Sequence, residues 1–210
     1  MEHLRIRLQT MLQNGSSDLI RIDSYFDTLA KNYRFRKRDY HNFEHIAAML
    51  KLSDKYAAQL QQKDIVDLAI FYHDVIYNPL RKDNEERSAK RSVRELTQLD
   101  FPKEKIERIK TYILATKTHD LQGLDDESDL AYFLDFDLSV LGADWETYLI
   151  YSQNIRKEYA IYPDLMYNAG RVKVLRGFLN KPTIYFTNAF KEKEETQARK
   201  NIEQEIMLMC

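Results

Sequence analysis

The chain has 210 residues, and 32 Lys and Arg stand against 33 Asp and Glu, for a formal net charge of −1. That balance argues against a nucleic-acid protein working by bulk electrostatics, leaving at most a local basic patch. Apolar residues make up 44% and charged residues 31%, the composition of a globular chain long enough to bury a real core.

The low counts of Gly (five) and Pro (four) favour helices. Pro79, Pro102, Pro163 and Pro182 fall at intervals that would separate helices, and Gly15, Gly123 and Gly142 where helices could stop. A helix is expected near 18–32, capped by Ser16 or Ser17, with Leu19, Ile22, Phe26 and Leu29 on one face. A second runs from about Asn42 to Leu60, with Ile46, Met49, Leu50, Tyr56 and Leu60 inward. A third runs from Lys63 to Tyr77, and a fourth from near Asp83 to just before Pro102. A fifth covers about 103–117, with Ile106, Ile109 and Ile113 inward. A sixth spans about 127–141, stopped by Gly142, and three more cover about 144–161, 164–180 and 184–208. Gly170 and Gly177, seven apart on one helix face, suit close helix packing. Thr183 to Thr187 is the one short strand candidate. The sign-alternating run from Lys191 to Lys200 reads as a solvated face. The expectation is an all-α single domain, 1–210, of about nine helices.

One cysteine, Cys210, rules out an internal disulfide framework and fits a reducing, cytoplasmic compartment. No apolar run approaches the roughly 18 residues of a membrane span. The opening stretch MEHLRIRLQTMLQNGSS carries charges through its apolar positions and does not read as a secretory signal. No membrane and no nucleic-acid polymer is therefore expected as a partner.

The chemistry rests on where five histidines fall. Ile65 to Ile76 (IVDLAIFYHDVI) is apolar nearly all round, the pattern of a buried helix, yet it carries His73 and Asp74. A buried carboxylate costs several kcal/mol unless it is paired or bound to a metal. Adjacent helical residues point about 100° apart, so the two do not easily pair with each other but can reach one ion beside the helix. Upstream, YHNFEH sets His41 and His45 four apart, on one face if both are helical. In LDFDLSVLG, Asp135 and Asp137 diverge by roughly 200° on a helix. Leu130, Leu134, Leu138 and Leu141 define an apolar stripe that contains Asp137. Asp137 is thus the carboxylate expected to be buried, and Asp135 the one expected in solvent or accepting a hydrogen bond behind the site. One divalent cation would satisfy His45, His73, Asp74 and Asp137 together. Mixed imidazole and carboxylate ligation suits Mn, Fe, Zn, Co or Ni better than Ca.

The order H…HD…D on an all-α chain resembles the HD superfamily of metal-dependent phosphohydrolases. YHNFEH is similar to the YHN-x-x-H element of the cyclic-nucleotide phosphodiesterases, FYHDVIY to the HD element, ILATKTH to a following His-bearing helix and DFDLS to the last aspartate element. The chain as a whole resembles a family of small predicted HD phosphohydrolases. It carries YHN-x-x-H (His41 to His45), HD followed by DNEERSA (His73 to Ala89), AT-x-x-H (Ala115 to His119), D-x-DL-x-x-LG (Asp135 to Gly142) and GR-x-x-VL-x-x-FL (Gly170 to Leu179). Together these cover about residues 40–180, the motif-bearing core of an HD-type helical domain.

That resemblance implies His45, His73, Asp74 and Asp137 as metal ligands, with Asp74 able to bridge to a second ion. It implies His41 as proton donor to the leaving oxygen and His119 as a neighbour of the site or a phosphate contact. The fullest HD pattern has two extra histidines for a second metal, and only His119 is available in that interval. One firmly liganded ion (Mn, Fe, Zn, Co, Ni or Mg) is therefore expected, without a fully liganded second. The implied chemistry is attack on phosphorus by metal-activated water, with His41 donating to the departing oxygen. Lys117, Arg87 and Arg171 are candidates to hold substrate phosphate, and Glu85 or Glu86 to accept from a ligand His or a metal water. Tyr40, Tyr72 and Tyr77 flank the site and could stack on a base or sugar. The expected substrate is a small phosphorylated molecule, a nucleotide first. Two alternatives stay open: a non-catalytic metal- or nucleotide-binding module, and an iron oxygenase, which would want the second set of ligands.

Overall fold

Helix starts along the chain are marked by side chains that accept the first orphan N–H groups. Asp18 accepts from Arg21 N at 3.0 Å, Asn42 from Glu44 N at 2.8 Å, Ser128 from Ala131 N at 3.2 Å and Asp144 from Thr147 N at 2.9 Å. Pro102 and Pro163 stand directly before two further helices. The computed structural model describes residues 1–13, 18–35, 38–121 and 128–209. Gly15, Ser16, Ser17, Gly123 and Cys210 lie outside the described residues, and the expected serine cap is supplied by Asp18. Among the described residues the protein is all-α, and no helix is long and apolar enough to cross a membrane.

The chain divides into two compact units, Met1–Leu124 and Asp125–Cys210. The first contains α1 (Glu2–Gln13), α2 (Leu19–Tyr33), α3 (Phe43–Lys55), a 3-10 turn (Ala57–Gln59), α4 (Lys63–Tyr72), α5 (Asn84–Thr97) and α6 (Lys103–Ala115). Helix α4 is its axis. Every residue from Ile65 to Tyr72 is buried, and α1, α3, α5 and α6 all pack on it. Its one charged residue in that run, Asp67, is neutralised on three sides: by Ser53 Oγ at 2.6 Å, Lys63 Nζ at 2.7 Å and Arg7 at 2.7 Å. Arg7 also forks onto Asp54 at 2.7 and 2.8 Å, which ties α1 to α3 and α4.

Several element boundaries differ from the sequence reading. Helix α1 was not expected, although Leu4, Leu8, Met11 and Leu12 form a helical apolar stripe and are buried. The second expected helix ends at Lys55, and the 3-10 turn follows. The third stops at Tyr72, five residues before the expected Tyr77, so His73 and Asp74 sit in a turn rather than mid-helix.

The second unit contains α7 (Asp129–Leu138), a 3-10 turn (Ser139–Gly142), α8 (Trp145–Glu158), α9 (Asp164–Leu179) and α10 (Asn188–Met209). Asn201 of α10 donates to the carbonyls of Leu141 and Ala143, both at 2.8 Å, and so closes the end of the 3-10 turn. Gly142 is crowded: a Cβ there would lie 2.6 Å from Glu194 Cβ and 2.9 Å from the Tyr185 hydroxyl. Gly170 and Gly177 behave in the opposite way. A Cβ at either meets nothing within 4 Å, so close helix packing does not account for them. Thr183 to Thr187 forms no strand. Its amides go to carboxylates instead, Ile184 N and Tyr185 N to Glu195, and Phe186 N and Thr187 N to Asp135.

Glu205 of α10 joins three helices from a buried position. It accepts two bonds from Arg171 of α9 at 2.8 and 3.0 Å, one from Ser152 of α8 at 2.9 Å, and one from the Tyr148 hydroxyl. Burial alone would raise the Glu205 carboxyl, but Arg171, Tyr148 and Ser152 outweigh it and hold the group below its ordinary value of 4.5. Its contribution to stability is therefore complete above that value and is lost as pH falls through the lower folded value. Glu205→Gln, which strands the buried Arg171 guanidinium, should cost about 3–5 kcal/mol near neutral pH. It should also flatten this part of the acid limb in urea titrations followed by circular dichroism. Gly142→Ala should cost about 1–3 kcal/mol in the same assay, because Glu194 Cβ cannot swing away as a flexible tip would.

Candidate metal centre

Helix α4 ends where its last carbonyls need partners, and those partners build the site. His73 continues the helical dihedrals for one residue, with its N–H on Ala69 O at 2.9 Å. Its Nδ1 lies 2.9 Å from Ile70 O. A carbonyl only accepts, so Nδ1 carries a proton, and in the neutral imidazole the lone pair is at Nε2. That lone pair meets His45 Nε2 at 3.3 Å and Asp74 Oδ2 at 3.1 Å. His45 is buried in the first turn of α3, the helix that Asn42 caps, and His73 is buried as well.

One ligand-type atom from each of His45, His73 and Asp74 thus converges, all within 4.8 Å of one another. Imidazole nitrogens and a carboxylate oxygen at that spacing could together hold one cation. Donors bound about 2.0–2.2 Å from one first-row ion lie roughly 3 Å apart, which matches the two shorter separations. The negative end of the α4 dipole adds to Asp74 in favouring positive charge here. The residues therefore fit a divalent cation. They also correct the expectation that His73 and Asp74 diverge, because the helix ends before them.

His41 lies outside α3, directly before the Asn42 cap, so it does not share a helical face with His45 as expected. The turn nevertheless brings it close. Its ring stacks on Tyr77 at 4.1 Å between centroids and lies edge-on to His45 at 6.4 Å. Tyr40 packs against both, at 5.1 Å from His41 and 4.8 Å from His45. Tyr72 points away into the core, where its hydroxyl donates to Glu95 at 3.1 Å.

The other expected residues divide. Glu86 and Lys117 are exposed and bonded to each other, and Arg87 is exposed with Asp83 at 3.9 Å. Glu85 is the half-buried member of that pair of glutamates. Burial first, then the charges of Asp74 and Glu86, hold its carboxyl above the ordinary range. His119 sits half-buried in the turn after α6 with φ of 47°, a left-handed conformation uncommon outside glycine, and its N–H closes the turn on Ala115 O at 2.8 Å. Arg171 is committed to Glu205 and is not a phosphate ligand candidate on this geometry.

In the second unit Asp135 is fully buried and Asp137 only half-buried, the reverse of the expected order of burial, because α7 is enclosed on nearly every side and not along one stripe. Asp135 accepts from Phe186 N and Thr187 N at 2.8 Å each and from Thr187 Oγ1 at 2.7 Å. Burial pushes its carboxyl up to about 7, while those bonds pull the other way.

The backbone past Asp74 is held by side chains that the motif reading did not explain. Asn84 binds both polar groups of Asn78 at 3.0 Å, accepting from its N–H and donating to its C=O. Ser88, one turn on, does the same for Ile76 at 3.0 and 3.2 Å. These are the N and S of DNEERSA, and their spacing of four is the signal that places both on one face of α5. Asn32 of α2 donates to Val75 O at 3.1 Å, and the Tyr33 hydroxyl to Phe71 O at 3.0 Å. Asn84→Ala should therefore cost about 0.5–1.5 kcal/mol in chemical denaturation, by removing both hydrogen bonds to the Asn78 backbone. Comparison with family models, with curated proteins and with solved structures gives no significant match to this chain.

Proposed function

We propose that the chain is a divalent-metal-dependent phosphohydrolase of HD type acting on a small phosphorylated molecule, with a nucleotide as the first candidate. The observation that carries this reading is the meeting of His45, His73 and Asp74 at the end of a buried helix. The motif order supports it; Asp137, which the resemblance implies as a further ligand, belongs to the second unit, and the groups that converge are His45, His73 and Asp74. A bound divalent cation would supply an ionised water at neutral pH and polarise a phosphoryl oxygen.

The chain's own residues divide the remaining work. His73 is oriented by Ile70 O, so in its neutral form its Nε2 carries the lone pair that would ligate. His41 stands beside the cluster with its ring held between Tyr77 and Tyr40. Protonated, it can donate to a leaving oxygen, and imidazole titrates in the right range for that work. A purely structural ion would not need such a neighbour. The single cysteine suits a cytoplasmic setting.

The test couples metal analysis to a phosphate-release screen over nucleoside mono-, di- and triphosphates, cyclic nucleotides and generic phosphoesters. The wild type should bind a stoichiometric divalent ion and hydrolyse part of the panel. His73→Ala should lose both properties. His41→Ala should keep the ion and lose about 10²–10⁴-fold in kcat. A wild type that binds no divalent ion and releases no phosphate overturns the proposal. Ion binding without hydrolysis anywhere on the panel would favour the binding-module alternative.

A further inference from the structure

Arg38 is the side chain that joins the two loops of the centre. It precedes Tyr40 and His41, outside any helix. Its Nη1 donates to Asp74 O at 2.8 Å and to His41 O at 3.4 Å, and its Nη2 to Val75 O at 3.3 Å. Its guanidinium also lies over two rings, 5.2 Å from Tyr33 and 5.7 Å from Tyr77. Asn42 fixes the backbone it hangs from, donating to Arg38 O at 3.3 Å and Asp39 O at 3.1 Å while capping α3. One cation therefore bridges the residue before the His45 helix and the residues after the α4 break, and Tyr77, the ring that His41 stacks on, packs against the same group.

We propose that Arg38 is a positioning residue for the metal centre, holding the Asp74 turn and the His41 loop in register so that Asp74, His73 and His45 aim at one point. The inference rests on the metal reading above. A planar fork spreads its N–H donors over two nitrogens that reach carbonyls lying apart on two loops, whereas a lysine ammonium gathers its three donors at one point. Carbonyls, unlike carboxylates, leave the guanidinium charge uncancelled. It therefore sits behind the acidic ligand as fixed positive charge, and its value to the site is geometric.

The experiment measures Mn²⁺ affinity by titration calorimetry on the full chain, for the wild type, Arg38→Ala and Arg7→Ala. Arg7→Ala breaks the α1 clamp in the same unit and serves as the control for stability alone. Arg38→Ala should weaken Mn²⁺ binding about tenfold or more, the loss typical when a group that orients a ligand is removed. Arg7→Ala should lower thermal stability and leave the Mn²⁺ affinity unchanged. Low-millimolar guanidinium should restore affinity to Arg38→Ala and not to His73→Ala. If Arg38→Ala fails to fold, Arg38→Lys, which keeps the charge and stem but not the fork, takes its place and should still bind Mn²⁺ more weakly than the wild type. A folded Arg38 variant with wild-type affinity overturns this inference and leaves the metal reading standing. Should the wild type not bind Mn²⁺, the titrations are run with Zn²⁺, Fe²⁺, Co²⁺, Ni²⁺ and Mg²⁺, and a wild type that binds none of them overturns both.

Discussion

The first unit depends on how helix α4 ends. A helix buried from Ile65 to its last residue must finish inside the protein, and its last carbonyls then face little water. Each of the last four is answered from nearby. His73 supplies its amide to Ala69 O and its ring to Ile70 O, Tyr33 reaches Phe71 O, and Val75 N returns to Tyr72 O. Past the break the same need recurs, and Arg38, Asn32, Ser88 and Asn84 meet it. The interruption turns two ligand-type residues out of a regular helix, fixes the tautomer of one, and recruits flanking segments to the spot. Burial, together with the charge of Asp74, pushes the Tyr33 hydroxyl well above its ordinary value, so it stays a proton donor in this network.

Buried charge is handled differently elsewhere. Asp67 and Glu205 are each surrounded by cationic and hydroxyl donors, and each ties separate helices together. Arg91 and Glu95 pair at 2.8 Å on α5 while Tyr72 closes on the same carboxylate. Such clusters offset their desolvation with several hydrogen bonds, and removing one member strands the rest. At His45, His73 and Asp74 the groups that meet are two imidazoles and a carboxylate, each of a type that can ligate a metal ion.

Much of the helical architecture is legible from spacing. Apolar recurrence and proline position locate most of the elements, and the uninterrupted apolar character of Ile65 to Tyr72 marks the central helix. The exceptions have physical causes. The stripe of α1 is present in Leu4, Leu8, Met11 and Leu12 but is crossed by charges that look solvated until Arg7 is seen reaching Asp67. Asp135 is more deeply buried than Asp137 because a one-sided stripe does not describe a helix enclosed nearly all round. Glycines at 170 and 177 look like packing contacts in sequence, and face open space. Arg38 follows Arg34, Arg36 and Lys37, so in sequence it belongs to a basic run of the kind that is usually solvated.

By itself the sequence determined the helical class and the identity of the polar residues that a buried helix could not carry without compensation. Those properties are local: they follow from periodicity and from the cost of desolvating a carboxylate or an imidazole. The tertiary structure decided where α4 stops, which tautomer His73 adopts, which of two aspartates is buried, and which of several basic residues reaches inward. Each of these turns on hydrogen-bond partners from segments distant in the chain, and no spacing along one segment encodes a partner that only folding brings within 3 Å.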